Sequence, residues 1–279
     1  MTFSIVAGAG TAYGVAVASK FLAVGSVVPA ALPGVGAVAT QSFAKVSYKA
    51  DSLALLRAGA SATDAIARIT AADPLRETRQ VGVVGRRDAA TFTGAECHGW
   101  AGGVSGGCET DGWYAAQGNI LVGPEVIAQM ESAWLATSGM PLARRLLAAL
   151  LAGDAAGGDR RGRQGAALYV VDVGAGYDGN DVVVDLRVDD HPRAAEELAR
   201  LLDLNDLYFS GPEDVQPLEG RLAEEVAGRL ARLGYGDGGA FGAPGALADW
   251  AGVENYELRL TPDGIDARVL AALRAATGD

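Results

Sequence analysis

The sequence predicts an α+β fold, a four-layer αββα sandwich followed by a small C-terminal helical module. Apolar runs with strand-like alternation and runs with helical spacing follow one another as strands, two helices, strands, two helices, strands. Two sheets stacked face to face and covered on the outside by helices satisfy that order. The chain then changes character beyond residue 209, where Pro212, Pro217 and several acidic residues make a connector. A chain of 279 residues that is 49 % hydrophobic has enough apolar surface for one large core and a small second one, and the expected domains are 1–210 and 211–279.

Residues 3–7 form the first strand, and after a Gly-rich turn over 8–14 a second strand returns as 15–20. Short apolar runs at 23–28 and 34–40, bounded by Pro29 and Pro33, read as further strands. Residues 52–58 and 61–72 have helical spacing, and Ser61 with Asp64 marks the second helix start. Strands return at 80–84 and 89–93 around the turn Arg86-Arg87-Asp88. Residues 94–112 read as a Gly-rich loop leading into a strand at 113–121. Helices at 124–136 and 141–152 precede strands at 166–172 and 181–188, and a helix over 192–209 closes this part. In the tail, 221–233 and 236–276 carry Leu222, Val226, Leu230, Trp250, Val269 and Leu273 at helical spacing.

With 34 acidic and 23 basic residues the net charge is -11, which argues against nucleic acid and anionic membranes as partners. No uninterrupted apolar run reaches the ~18 residues of a membrane span, and the start has no basic segment of the signal-peptide kind, so a cytoplasmic protein is expected. Cys97 and Cys108 are then expected as reduced thiols. A zinc site from Cys97, His98, Cys108 and His191 lacks a C-x-x-C pair, and no glycine run makes a dinucleotide fingerprint, so neither metal nor organic cofactor is expected.

The chemistry is sought first at Thr2. Removal of Met1 would leave a Thr whose hydroxyl and α-amine form a nucleophile and base pair, the amine titrating near ~7.7–8.0. Position alone favours a Thr that merely starts a strand, and the other residues have to move that balance. Lys20, one of three lysines in the chain, closes the strand expected to pair with that of Thr2 and is the candidate cation beside it; a lysine pointing into solvent is the alternative. Gln41, Gln117 and Asn119 sit at strand ends or beside glycines, where an amide N–H can face an oxyanion; Asn119 is the preferred donor and Gln41 and Gln117 are substrate contacts, and amides that satisfy a loop backbone are the alternative. Between a Gly pair and a strand, Asp159 and Gln164 bracket three arginines, of which Arg160 is read as a clamp for a substrate carboxylate oriented by Asp159, with Gln164 as a further substrate contact; a run of solvated charge is the alternative.

Residues 1–7 (MTFSIVA), 14–29, 36–41 (GAVATQ), 93–97 (TGAEC), 117–119 (QGN), 157–164 (GGDRRGRQ) and 185–192 (DLRVDDHP) together resemble the domain-of-unknown-function family numbered 1028. The resemblance runs in register over about the first 210 residues. It departs at 9–13, where the family commonly has a more polar turn with Asp, and at Lys45, where a small polar residue such as Asn is usual. That family is regarded as related to N-terminal nucleophile (Ntn) hydrolases. The resemblance therefore implies their αββα fold and an amidohydrolase that cleaves a small amide, imide or ureido C–N bond through an acyl-enzyme on Thr2. The tail, through 233–235 (LGY) and 253–257 (VENYE), is similar to a peptidoglycan-binding-like module sometimes attached to this family, which implies a glycan or peptide ligand. A homo-oligomer, a dimer, is expected. The rival from another class is a non-catalytic binding protein on the same fold.

Overall fold

Alternating small and β-branched residues at the start of the chain fold back on themselves as β1 (Thr2–Ala9) and β2 (Ala12–Ser19). Gly10, at φ 61°, supplies the left-handed turn between them. The hairpin is tighter than the 8–14 turn expected from the glycines, because Gly8 and Gly14 stay inside the antiparallel ladder. The computed structural model describes residues 2–235 and 245–278, so the part of the tail expected at 236–244 lies outside the described residues. It is a mixed α+β fold with antiparallel sheets and a C-terminal helical region.

The hairpin is the centre of a six-stranded sheet. Its other strands are β7 (Trp100–Cys108), β8 (Gly112–Leu121), β9 (Gly165–Val171) and β10 (Val182–Val188), and the order is β10-β9-β2-β1-β8-β7. A four-stranded sheet runs β3-β4-β5-β6, from β3 (Pro29–Leu32), β4 (Gly36–Ser42), β5 (Arg79–Val84) and β6 (Ala89–Thr93). The helices of this part are α1 (Val24–Val27), α2 (Ser47–Arg57), α3 (Ala62–Ala71), α4 (Glu125–Ala136), α5 (Leu142–Ala155) and α6 (Ala194–Phe209).

Period-two alternation assigns each strand residue to a face. Phe3, Ile5 and Ala7 of β1 pack with Met130, Trp134, Leu146 and Leu150 of α4 and α5. Val6, Val15 and Val17 on the opposite face meet Ala37, Ala39 and Val84 of the second sheet. The outer face of that sheet, Val38, Val81 and Val83, packs on Leu56, Ala65, Ile66 and Ile69 of α2 and α3.

Two expected elements are corrected. Residues 94–112 hold β7, nine residues long, because glycines at 102, 103, 106 and 107 hide a strand from propensity without preventing it. A Cβ on Gly103 would stand 2.8 Å from the carbonyl of Ala116 on β8. The run 23–28 is the single helical turn α1, entered through Ala23 at φ 52°, and the strand follows it at Pro29.

The chain divides into two compact units between Leu202 and Asp203. Besides the end of α6, the second unit has α7 (Gly220–Arg232), α8 (Ala246–Val253), α9 (Ala267–Thr277) and a two-residue strand pair, β11 (Gln216–Pro217) with β12 (Gly264–Ile265). Its core is Val226, Leu230, Trp250, Ile265, Val269 and Leu273. Within it the guanidinium of Arg259 meets Asp266 at 2.8 Å, both side chains fully buried. Among the described residues no helix is long and apolar enough to cross a membrane.

Candidate active site at the head of the first strand

Thr2 opens β1 between β2 and β8, and its residue is 5 % exposed. Its Oγ1 lies 3.2 Å from Ser19 Oγ, and its backbone pairs with Asn119. The face of β1 that carries Val6 against the second sheet carries Ser4 and Thr2 here. Opposite, the same parity brings Gln41 of β4 and Gln80 of β5 inward, and β8 adds Gln117 and Asn119. The interface between the sheets thus turns from aliphatic to amide-lined as it approaches Thr2.

These buried amides bind one another. Gln41 Nε2 donates to Thr2 O at 3.2 Å, Gln80 Oε1 at 2.8 Å and Gln117 O at 3.2 Å. Ser4 Oγ donates to Gln41 Oε1 at 2.7 Å and accepts from Gln117 Nε2 at 2.7 Å. Asn119 Nδ2 donates to Gln80 Oε1 at 2.9 Å. Gln117 fits because residue 82 is Gly, where a Cβ would stand 2.0 Å from Gln117 Oε1. That Oε1 finds no hydrogen-bond partner among the described residues.

Two non-glycine residues in left-handed conformation border the cluster, Ser42 at φ 67° after Gln41 and Ile120 at φ 49° after Asn119. For a β-branched residue such a conformation is a true outlier, of order 1–3 kcal/mol, and it concentrates at functional sites. Ile120 is the bulge between the pairs Trp100–Leu121 and Ala101–Asn119, held by its N–H to His98 O at 2.9 Å and by Arg160 N–H to its own carbonyl at 3.3 Å.

The structure brings Gln41, Gln117 and Asn119 to the strand of Thr2 and puts the other expected residues to different uses. Lys20 does not provide the neighbour of the Thr2 hydroxyl: β2 ends one residue earlier, so Ser19 does, and Lys20 is exposed with its Nζ donating to Arg163 O at 3.4 Å. Asp159 is buried and accepts Lys20 N–H at 2.7 Å while bonding Arg161, its own neighbour in the loop. The Arg160 side chain is exposed, and Gln164 Nε2 donates to Asp190 Oδ1 at 3.1 Å. Phe3, Ser19, Asp159, Arg163 and Gly165 line a small pocket whose wall does not include Thr2. Sequence reasoning missed Ser4, Ser19 and Gln80, all polar residues at inward positions of strands it had found. Among the described residues no group of three or more His, Cys, Asp or Glu is placed to hold a metal ion.

In the loop between α3 and β5, Asp73 is held down to about 2. Burial alone would raise it, and the Arg79 guanidinium, the Leu75 N–H and the Tyr48 hydroxyl outweigh that.

The sequence model of the "Family of unknown function (DUF1028)" matches residues 2–198, and that of the "Putative peptidoglycan binding domain" matches 208–273. Among solved structures, the crystal structure of a Silicibacter pomeroyi protein carrying the DUF1028 model is similar at a TM-score of 0.64 and 29 % identity, over 80 % of this chain and 92 % of that one. No curated protein matches the chain.

Proposed function

Because the chain belongs to the DUF1028 family, whose function is unknown, its activity has to be argued from its own residues, and we propose that it is an amidohydrolase of the N-terminal nucleophile type. The observation that carries this reading is Thr2 itself: a buried hydroxyl at the head of a central strand, 3.2 Å from a second hydroxyl and tethered through its own carbonyl to Gln41. A nucleophile at a chain terminus needs such anchoring, since frayed ends do not hold reacting atoms in place. The packing of α4 and α5 on one sheet, of the two sheets on each other, and of α2 and α3 on the second sheet supports the same reading, and we read it as the αββα arrangement that the resemblance to Ntn hydrolases implies.

In the proposed reaction Met1 is removed first. Thr2 Oγ1 attacks the carbonyl carbon of a small amide, imide or ureido compound, and its proton passes to the freed α-amine. Ser19 Oγ orients the attacking oxygen. A side-chain amide carries two donor hydrogens; Gln80 engages one on Asn119, and the second serves the oxyanion. The amine returns the proton to the leaving nitrogen, the C–N bond breaks, and water hydrolyses the ester on Thr2.

The test is release of ammonia or amine from a panel of small amides, cyclic imides and ureido acids, alongside the intact mass of the chain. Mature protein is expected to begin at Thr2, and Thr2→Ala to lose several orders of magnitude in turnover. A Thr2→Ala chain with wild-type activity ends the proposal. For the second unit we propose glycan or peptide binding, on the family match over 208–273; pull-down on insoluble peptidoglycan tests it. A cytoplasmic location and a homodimer belong to the same proposal, and sedimentation measures the latter.

A further inference from the structure

Gln80 enters the steps above only as the partner of Asn119, yet it is the junction of the buried amides. Its backbone lies in β5 between Gln41 of β4 and Thr93 of β6, and its side chain, fully buried, crosses to the other sheet. Oε1 accepts from Gln41 Nε2 at 2.8 Å and from Asn119 Nδ2 at 2.9 Å. Nε2 donates to Gly118 O at 2.7 Å, Thr93 Oγ1 at 2.9 Å and Gly102 O at 3.2 Å. Only one orientation of this amide satisfies that set. Turned over, Nε2 would face two donors and Oε1 two carbonyls.

The orientation propagates. With Gln80 Oε1 as the common acceptor, Gln41 must present Nε2 here, which turns its Oε1 to Ser4 and lets the same Nε2 reach the Thr2 carbonyl. Asn119, opposite Thr2 on β8, must likewise present Nδ2. On the reading of Thr2 as nucleophile, we propose that Gln80 is a positioning residue: it touches no reacting atom, and by fixing the amides of Gln41 and Asn119 it fixes the Thr2 main chain and the donor carried by the residue paired with Thr2 on β8. Misplacement of a reacting group by ~1 Å costs about 100-fold in rate, so loss of the junction is expected to slow attack by Thr2 about 10- to 100-fold.

The probe is p-nitrophenyl acetate on the full chain. The Thr2 hydroxyl oxygen bonds the acetyl carbon, the bond from that carbon to the aryl oxygen breaks, the hydroxyl proton goes to the α-amine, and p-nitrophenolate leaves with the electron pair. The nitrophenolate colour times the step, and the mass of the N-terminal peptide locates the acetyl group. Wild type labelled at Thr2 together with a folded Gln80→Met labelled at least tenfold more slowly supports the proposal. Gln80→Met that melts as wild type does and is labelled at the wild-type rate overturns it while leaving the nucleophile intact. A wild-type chain that is not labelled at Thr2, or a Thr2→Ala chain labelled there as fast, removes the nucleophile and the junction's role with it. Should Gln80→Met not fold, Gln80→Glu decides. Its neutral acid can donate to Gly118 O and accept from Gln41 and Asn119, whereas its carboxylate sets a charge against Gly118 O and Gly102 O. The rate of Gln80→Glu relative to wild type is expected to fall with rising pH; a ratio that stays flat overturns the proposal.

Discussion

In the first unit the polar interior near Thr2 is made of neutral amides, Gln41, Gln80, Gln117 and Asn119; in the second it is an ion pair, Arg259 with Asp266, both side chains at 0 % exposure. The difference shows in what each can hold. Amides are directional and uncharged, so a mutually bonded set of them fixes orientation without burying a charge and does not titrate. A buried ion pair is costly to desolvate and costlier to break, and it binds whatever its atoms reach. Arg259 also donates to the carbonyls of Leu207 and Asp206, while Asp266 accepts from Glu213 N–H and caps α9 through Arg268 N–H and Val269 N–H. One pair thus gathers the start of the module, its middle and its last helix, as suits a small core with little apolar area of its own.

The largest effect is expected where the charge is left alone. Arg259→Met strands the Asp266 carboxylate in the interior and should cost about 3–5 kcal/mol. Hydrogen exchange would show it as lost protection in α7 and α9. Equal loss in β5 and β8 would break the contrast between the two interiors.

The amide interior is challenged by a single methyl. Gly82→Ala would put a Cβ 2.0 Å from Gln117 Oε1, forcing that amide off Ser4, and overpacking of this kind costs about 1–3 kcal/mol. Urea unfolding measures the loss. Because Gln117 shares Ser4 with Gln41, labelling of Thr2 should slow as well, which a purely steric fault elsewhere in the sheet would not produce.

How much of this was legible follows from the same residues. Gln41, Gln117 and Asn119 stood out because they interrupt apolar runs at strand ends, and the structure brings them together at the strand of Thr2. Gln80 interrupts its strand in the same way, and was passed over because one residue at a strand start shows its partners only once the second sheet is stacked on the first. Ser19 and Lys20 differ by one position, and alternation turns one inward and the other to solvent; only the register of β1 on β2 decides which meets Thr2. The strand β7 was hidden by its glycines. The bulge at Ile120 was hidden because nothing in an isoleucine announces a positive φ.

The smallest effect compares two helix caps. Ser61 Oγ accepts from Asp64 N–H at 3.0 Å at the start of α3, where Asp88 already takes the N–H groups of Ala62 and Thr63. Ser61→Ala therefore removes one bond and should cost about 1 kcal/mol. A hydroxyl does not titrate in this range, so that cost should be the same at neutral and acid pH. Asp266 caps α9 with a charge. Burial alone would raise its pKa, but the N–H groups of Glu213 and Val269 and the Arg259 guanidinium hold it below the ordinary carboxylate value. A lowered folded pKa means that its stabilisation is complete above the unfolded value near ~3.9 and is lost as the pH falls through the folded one. Glu225, held to about 2 by Arg274 and Arg229, follows the same sign. Protection of α9, corrected for intrinsic exchange, is accordingly expected to decline below about pH 4, while the increment between wild type and Ser61→Ala stays constant. A Ser61→Ala increment that shrinks in acid would show that the α3 cap leans on the Asp88 carboxylate, as the α9 cap leans on that of Asp266.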